Sequence, residues 1–194
     1  MAELNDRGFR KAKKLGDIGE AAYAELLEGY KNAGAIATYY DLTDNRLAQV
    51  LDCDFVVFTE KDGDREYTEE DAEKFLLQKG DHPDFCRFIE VKTDTRILDT
   101  GNAYLEWIAH DKPGCFAITK ADKWIYYGID VSSEKISRAW TIDLFKLRGL
   151  FTSGTLSFKA GTVEEYSDKK TGNYAFRVKM DLLVLLGVAK ELKI

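Results

Sequence analysis

The sequence predicts an α/β fold: a mixed central sheet with one long helix on one face and later helices on the other. Three observations predict it. A long early stretch repeats its apolar residues at helical spacing. Short runs dense in β-branched and aromatic residues follow, D-F-V-V-F at Asp54–Phe58, R-F-I-E-V-K-T-D at Arg87–Asp94 and W-I-Y-Y-G-I-D at Trp124–Asp130. The composition, 45% apolar and 32% charged over 194 residues, suits one globular domain with a real core.

The first helix is expected over Gly8–Tyr30, ended by the Gly29–Gly34 region. On a wheel of 100° per residue, Ala12, Leu15, Ile18, Gly19, Ala22, Tyr23, Leu26 and Leu27 fill one arc of roughly 180°. Glu20 lies about 20° beyond Leu27, either leaning over a sheet edge or simply solvated. Arg7, Arg10, Lys11, Lys13 and Lys14 cluster near the start, a solvated run or a phosphate contact. Ala35–Leu42 reads as a strand, Asn45–Leu51 as a helical turn, and Asp54 opens the apolar strand that follows.

Glu60–Phe85 reads as a compact acidic insertion, a solvated decoration by default. It has a loop tip at Asp62-Gly63-Asp64 and a short helix from Thr68, its cap, to Leu77, with Gly80 beyond. Its acidic spacing does not match a calcium-binding EF-hand loop. His82, before Pro83, reads as a loop histidine. Asn102–Ile108 is extended if its alternation is followed, with Asn102, Tyr104 and Glu106 on one face. Trp140–Leu147 is expected to be a short helix. Leu156–Tyr166 and Tyr174–Leu186 form a strand pair around a turn carrying Lys169 and Lys170. The aromatics of Trp124–Asp130 suit a core, or base stacking.

The chemistry concentrates in R-F-I-E-V-K-T-D. Alternation along a strand sends Ile89 and Val91 to one face and Glu90 and Lys92 together to the other. A carboxylate there can hold a hard cation, and the ammonium beside it can steer or activate a water. Asp54 on the preceding strand supplies a second carboxylate, with Asp52 in reserve.

Asp54, then Glu90-Val91-Lys92 on the next strand, resembles the PD-(D/E)XK nuclease superfamily. K-L-G-D-I-G-E, ending at Glu20, is similar to that superfamily's first motif, where such a Glu joins the metal shell. Gln49, five residues before Asp54, matches a Q-x-x-x-x-D pattern of phage and Holliday-junction-resolvase-like members. The run T-G-N-x-x-x-E through Asn102 and Glu106, then Gly114, Thr119, Ala121, Asp122 and Tyr126, resembles a phage and mobile-element branch. Cys115 and Phe116 replace its tryptophan-like positions, and Asp52 stands where glycine is frequent. The resemblance implies a restriction-endonuclease-like core with Asp54, Glu90, Lys92 and Glu20 as the catalytic set. Mg2+ (or Mn2+) would sit on Asp54, Glu90 and Glu20, with Gln49, Asn102, Glu106 and Asp52 in support. DNA is the implied substrate, and Lys120, Lys123, Arg96 and Lys14 are the candidate phosphate contacts.

The formal charge of −6 works against tight, non-specific duplex binding without excluding cleavage. No apolar run approaches the ~20 residues of a membrane helix, and the first residues do not read as a secretory signal. Cys53, Cys86 and Cys115 lack metal-type spacing, so reduced thiols, a cytoplasmic location and no membrane contact are expected. A homodimer would suit paired cuts. Two other readings are a catalytically silent nucleic-acid-binding or interaction module and an acidic mimic of DNA.

Overall fold

The computed structural model describes residues 2–60, 63, 66–78, 82–168 and 171–193, with backbone alone for 2–9 and 11. Asp62, Asp64, Gly80, Lys169, Lys170 and the side chains of Arg7 and Lys11 therefore lie outside the described residues.

Helix α1 (Ala2–Asn32) leads into strand β1 (Thr38–Asp41), helix α2 (Arg46–Val50) and strand β2 (Phe55–Phe58). Helix α3 (Glu69–Leu77) precedes strand β3 (Cys86–Asp94). Next come helix α4 (Ile97–Thr100), strands β4 (Asn102–Ala109) and β5 (Lys112–Pro113), helix α5 (Cys115–Ile118) and strand β6 (Lys123–Asp130). Strand β7 (Lys135–Asp143), helix α6 (Leu144–Thr152), strands β8 (Glu164–Asp168) and β9 (Asn173–Lys179), helix α7 (Met180–Leu185) and strand β10 (Ala189–Leu192) complete the described chain.

The expected mixed sheet flanked by helices is present. It has six strands in the order β1-β2-β3-β6-β7-β10, antiparallel throughout except where β6 runs parallel to β3. A second, antiparallel sheet has the order β5-β4-β9-β8.

Alternation assigns the faces of the large sheet. Phe55, Val57, Ile89, Val91, Ile125 and Tyr127 pack with Tyr23 and Leu27 of α1. Gly19 makes that approach possible: a Cβ there would lie 2.5 Å from Thr93 Cγ2 and 3.2 Å from Val91 Cγ1. On the opposite face two separate cores form. Val56, Phe58 and Phe88 pack under Ala48, Tyr67, Ala72 and Leu76. Trp124, Tyr126, Trp140 and Ile142 pack under Leu144, Leu147, Leu183 and the inner face of the second sheet, Ala103, Leu105 and Val178. Glu90 and Lys92 of β3 sit on this face, between the two cores.

Several expectations change. The segment between β2 and β3 is not a solvated decoration, because Tyr67, Ala72 and Leu76 are buried against the sheet. Its helix starts as expected, Thr68 and Asp71 forming a reciprocal cap. His82 is held by Asp122, whose Oδ1 lies 2.8 Å from Nε2 and whose Oδ2 accepts from Phe88 N at 2.7 Å. Trp140 lies on a strand and not in a helix: Ala139 faces one core while Trp140 and Ile142 face the other. The helix begins only after Asp143, whose Oδ1 caps it by accepting from Lys146 N. The tail strands are shorter than expected. The chain turns helical at Met180, ends that turn at Gly187 (φ +69°), and returns as β10 beside β7.

Candidate active site

Asp54 extends the β2–β3 ladder by one step beyond the Phe55–Ile89 pair, which sets it across from Glu90. Its amide donates to Ile89 O at 2.8 Å, and its Oδ2 accepts from Val91 N at 2.7 Å. Asp52 ends the turn before it with φ +51°. That turn is pinned from outside: Thr119 Oγ1 donates to Asp52 O at 2.7 Å, and Lys120 N to Leu51 O at 2.9 Å. Lys92 Nζ then reaches both partners, 2.5 Å from Glu90 Oε1 and 3.2 Å from Asp52 Oδ1, and lies 5.7 Å from the centre of the Trp124 ring.

This is a deficit of positive charge in a dry place. Three carboxylates, Asp52, Asp54 and Glu90, surround one ammonium, and Glu90 is only 6% exposed. Burial pushes the Glu90 carboxyl well above its usual range, and the Asp54 and Asp52 charges add to this against the pull of Lys92. Burial likewise raises Asp54, opposed by the Val91 amide and Lys92. For Lys92, burial works against its charge, but Glu90 and Asp52 outweigh it and the amine holds its proton. Two oxygens, Glu90 Oε2 and Asp52 Oδ2, are buried with no hydrogen-bond donor among the described residues. Buried polar atoms are normally satisfied, so such orphans mark a missing proton, water or cation.

Glu20 lies on α1, the side of the sheet opposite Glu90 and Lys92, half-buried near the strand ends. Its carboxyl is pushed up to about 7, first by burial, then by the Asp54 charge, with Asp17, Asp41 and Asp44 behind it. It is an electrostatic neighbour of Asp54, as an edge position implies.

Beside the cluster opens a cleft of about 620 Å³. Asp52 and Lys92 lie on its wall together with Arg96, Asn102 and Glu106, so five of the expected residues share one space. Burial raises the Glu106 carboxyl, with Lys92 opposing. The other candidates are elsewhere. Gln49 Nε2 donates to Thr43 O at 2.8 Å and shapes the β1–α2 loop. Lys120 Nζ donates to Leu76 O and Gln78 O and closes the end of α3. Lys14 pairs with Glu134 at 2.5 Å on the surface, and Lys123 lies at the start of β6, outside the cleft lining.

Sequence reasoning missed the far wall: Tyr104 on β4, Tyr166 on β8 and Arg177 on β9. The only signal for it was the alternation of Asn102, Tyr104 and Glu106, because nothing local says that β4 pairs with β9. It also missed the bolt between the sheets. The buried Tyr126 hydroxyl donates to Asp94 Oδ2 at 2.7 Å and accepts from Tyr104 N at 3.0 Å.

Among the described residues no group of three or more His, Cys, Asp or Glu side chains is placed to hold a metal ion. What is present is a facing pair of carboxylates, Asp54 and Glu90, with unpartnered buried oxygen beside it. That suits a hard cation such as Mg2+, which uses one or two carboxylates and fills the rest of its shell with water and phosphate oxygens. No family model, curated protein or solved structure matches the chain.

Proposed function

We propose that this chain is a metal-dependent nuclease that hydrolyses DNA phosphodiester bonds, with the Asp54–Glu90–Lys92 cluster as its centre. The observation that carries the reading is the buried oxygen excess: Asp52 and Glu90 share one lysine, Asp54 lies across from Glu90, and Glu90 Oε2 and Asp52 Oδ2 have no donor among the described residues. Asp54 and Glu90 would hold Mg2+ or Mn2+, with Asp52 beside them and Glu20 acting from the sheet edge through water. The chemistry such an ion supplies is charge neutralisation at the scissile phosphate and a lower pKa for a nearby water.

The protein's own contribution follows from the geometry. Lys92 keeps its proton, so its part is to orient the attacking water by donation and to offset charge that develops on the phosphate. The two apolar cores flanking β3 keep bulk water from the inner side, which strengthens both effects. Glu106 and Asn102 face the same cleft from the second sheet and bound the space in which a phosphate lies. Helix α1 packed on a mixed sheet that holds β2 and β3 side by side supports the reading. Phage or mobile-element DNA processing is the setting suggested by the resemblance around Asn102 and Glu106.

Cleavage of labelled linear, nicked and four-way-junction DNA tests the reading. Products in Mg2+ or Mn2+ but not in EDTA, lost by ~10²–10³ in Lys92→Ala and Asp54→Ala, are expected. Failure on every DNA shape in every metal would leave an interaction module as the better account.

A further inference from the structure

The second sheet turns one face into the apolar core and the other into the cleft. Register places Tyr104 opposite Arg177, Arg177 opposite Glu164, and Ala175 opposite both Glu106 and Tyr166, so these side chains share the outer face. Three features there are poorly explained by packing alone. The Tyr104 and Tyr166 rings meet edge-on at 5.4 Å, and Tyr166 remains 37% exposed. The Arg177 guanidinium lies 5.8 Å from the centre of the Tyr166 ring. Arg177 Nη2 pairs with Glu164 at 3.1 Å, yet its Nε is buried with no acceptor among the described residues. A partly exposed aromatic platform beside a planar cation that is itself 37% exposed suits a base with its phosphate or carbonyl oxygen.

We propose that Tyr104, Tyr166 and Arg177 form a subsite for unpaired nucleotides, with Arg96 lining the same cleft, so that single-stranded DNA is the preferred substrate class. The inference rests on the nuclease reading and deepens it. Two physical arguments favour a single strand over a duplex. A chain of net charge −6 is poorly equipped for the many phosphate contacts that hold a duplex, whereas stacking carries affinity without charge. A cleft of about 620 Å³ falls in the size range of small-molecule sites and accommodates a splayed nucleotide. Threading an unpaired strand past Tyr166 and Arg177 leads it to the wall shared with Lys92.

The test is fluorescence anisotropy with a labelled oligodeoxythymidylate and a blunt duplex of equal length, in Ca2+ to hold DNA without cutting it. The single strand should bind at least tenfold more tightly (a threshold on the order of one stacked base). Tyr166→Ala and Arg177→Ala should each weaken it by roughly 5- to 100-fold, while Tyr166→Trp, which keeps the ring at this exposed edge position, should bind as well as wild type. With two arginines on phosphates, log K should fall against log salt with a slope of about −1.4. Equal or tighter binding of the duplex, or a Tyr166→Ala protein that binds like wild type while melting normally, overturns the proposal. The two readings separate cleanly. A duplex cut in a Lys92-dependent way without Tyr166 dependence removes the subsite and keeps the nuclease. Single strands bound through Tyr166 but never cut in Mg2+ or Mn2+ keep the subsite and remove the nuclease.

Discussion

Replacing Lys92 with methionine removes the one cation from the carboxylate cluster while keeping most of its volume. The Lys92 side chain is 23% exposed and that of Glu90 7%, so the pair is largely withdrawn from water. Breaking such a pair by deleting one partner costs about 3–5 kcal/mol. Protonation sets a ceiling. Holding one more carboxyl neutral at pH 7 against an ordinary glutamate pKa costs about 3.7 kcal/mol, and each unit of lower pH recovers about 1.4 kcal/mol. Lys92→Met should therefore lose ~3–4 kcal/mol at pH 7, or roughly 6–15 °C in Tm for a chain of this size. The deficit should shrink to about 1 kcal/mol near pH 5. Urea titrations of wild type and variant across that pH range measure it, and the double variant Glu90→Gln/Lys92→Met should regain part of the loss. A single variant as stable as wild type at pH 7–8, or a deficit independent of pH, would refute the picture of a buried carboxylate excess.

Three further outcomes follow from the same structure. Gly19→Ala gains about 1 kcal/mol of helix propensity but must displace Thr93 Cγ2 at 2.5 Å, an overpacking cost of ~1–3 kcal/mol; it should be neutral to destabilising by urea melt, whereas Gly29→Ala, with open space around its Cβ, should stabilise by ~0.4–1 kcal/mol. Glu20 is raised from an unfolded value near 4.5 to about 7, so the native state binds the extra proton and stability falls as pH climbs through that window; Glu20→Gln should flatten the slope between pH 5 and 7, and an unchanged slope would count against the assignment. Tyr126→Phe deletes the hydroxyl that joins Asp94 to the Tyr104 amide; leaving those half-buried groups unpaired should cost ~1–3 kcal/mol, read by thermal melt.

How much could be read in advance depended on the range of the interaction. Glu90 and Lys92 sharing a face, Ile89 and Val91 facing α1, and Gly19 within the packed arc all follow from local periodicity, and the structure has them so. Thr68 as a cap was equally local. What local pattern could not show involves distant partners. Trp140 looked helical because W-T-I-D-L-F-K-L carries apolar residues at mixed spacing, and only its pairing with Tyr126 and Glu191 makes it a strand. Lys120 looked like a phosphate contact because its acceptors, Leu76 O and Gln78 O, belong to a helix some forty residues earlier. Gln49 fitted a motif, yet its side chain serves a turn. Tyr166 and Arg177 carried no local mark, since a cleft wall exists only once β4, β8 and β9 have paired.

Calorimetric titration of the protein with Mn2+ tests the central claim most directly, because it asks whether the Asp54–Glu90 pair takes a cation, independent of any substrate. Saturable binding in wild type that is lost in both Asp54→Asn and Glu90→Gln, with the variants still folded, is the predicted result. Absence of binding in wild type, or binding that survives both substitutions, would contradict it.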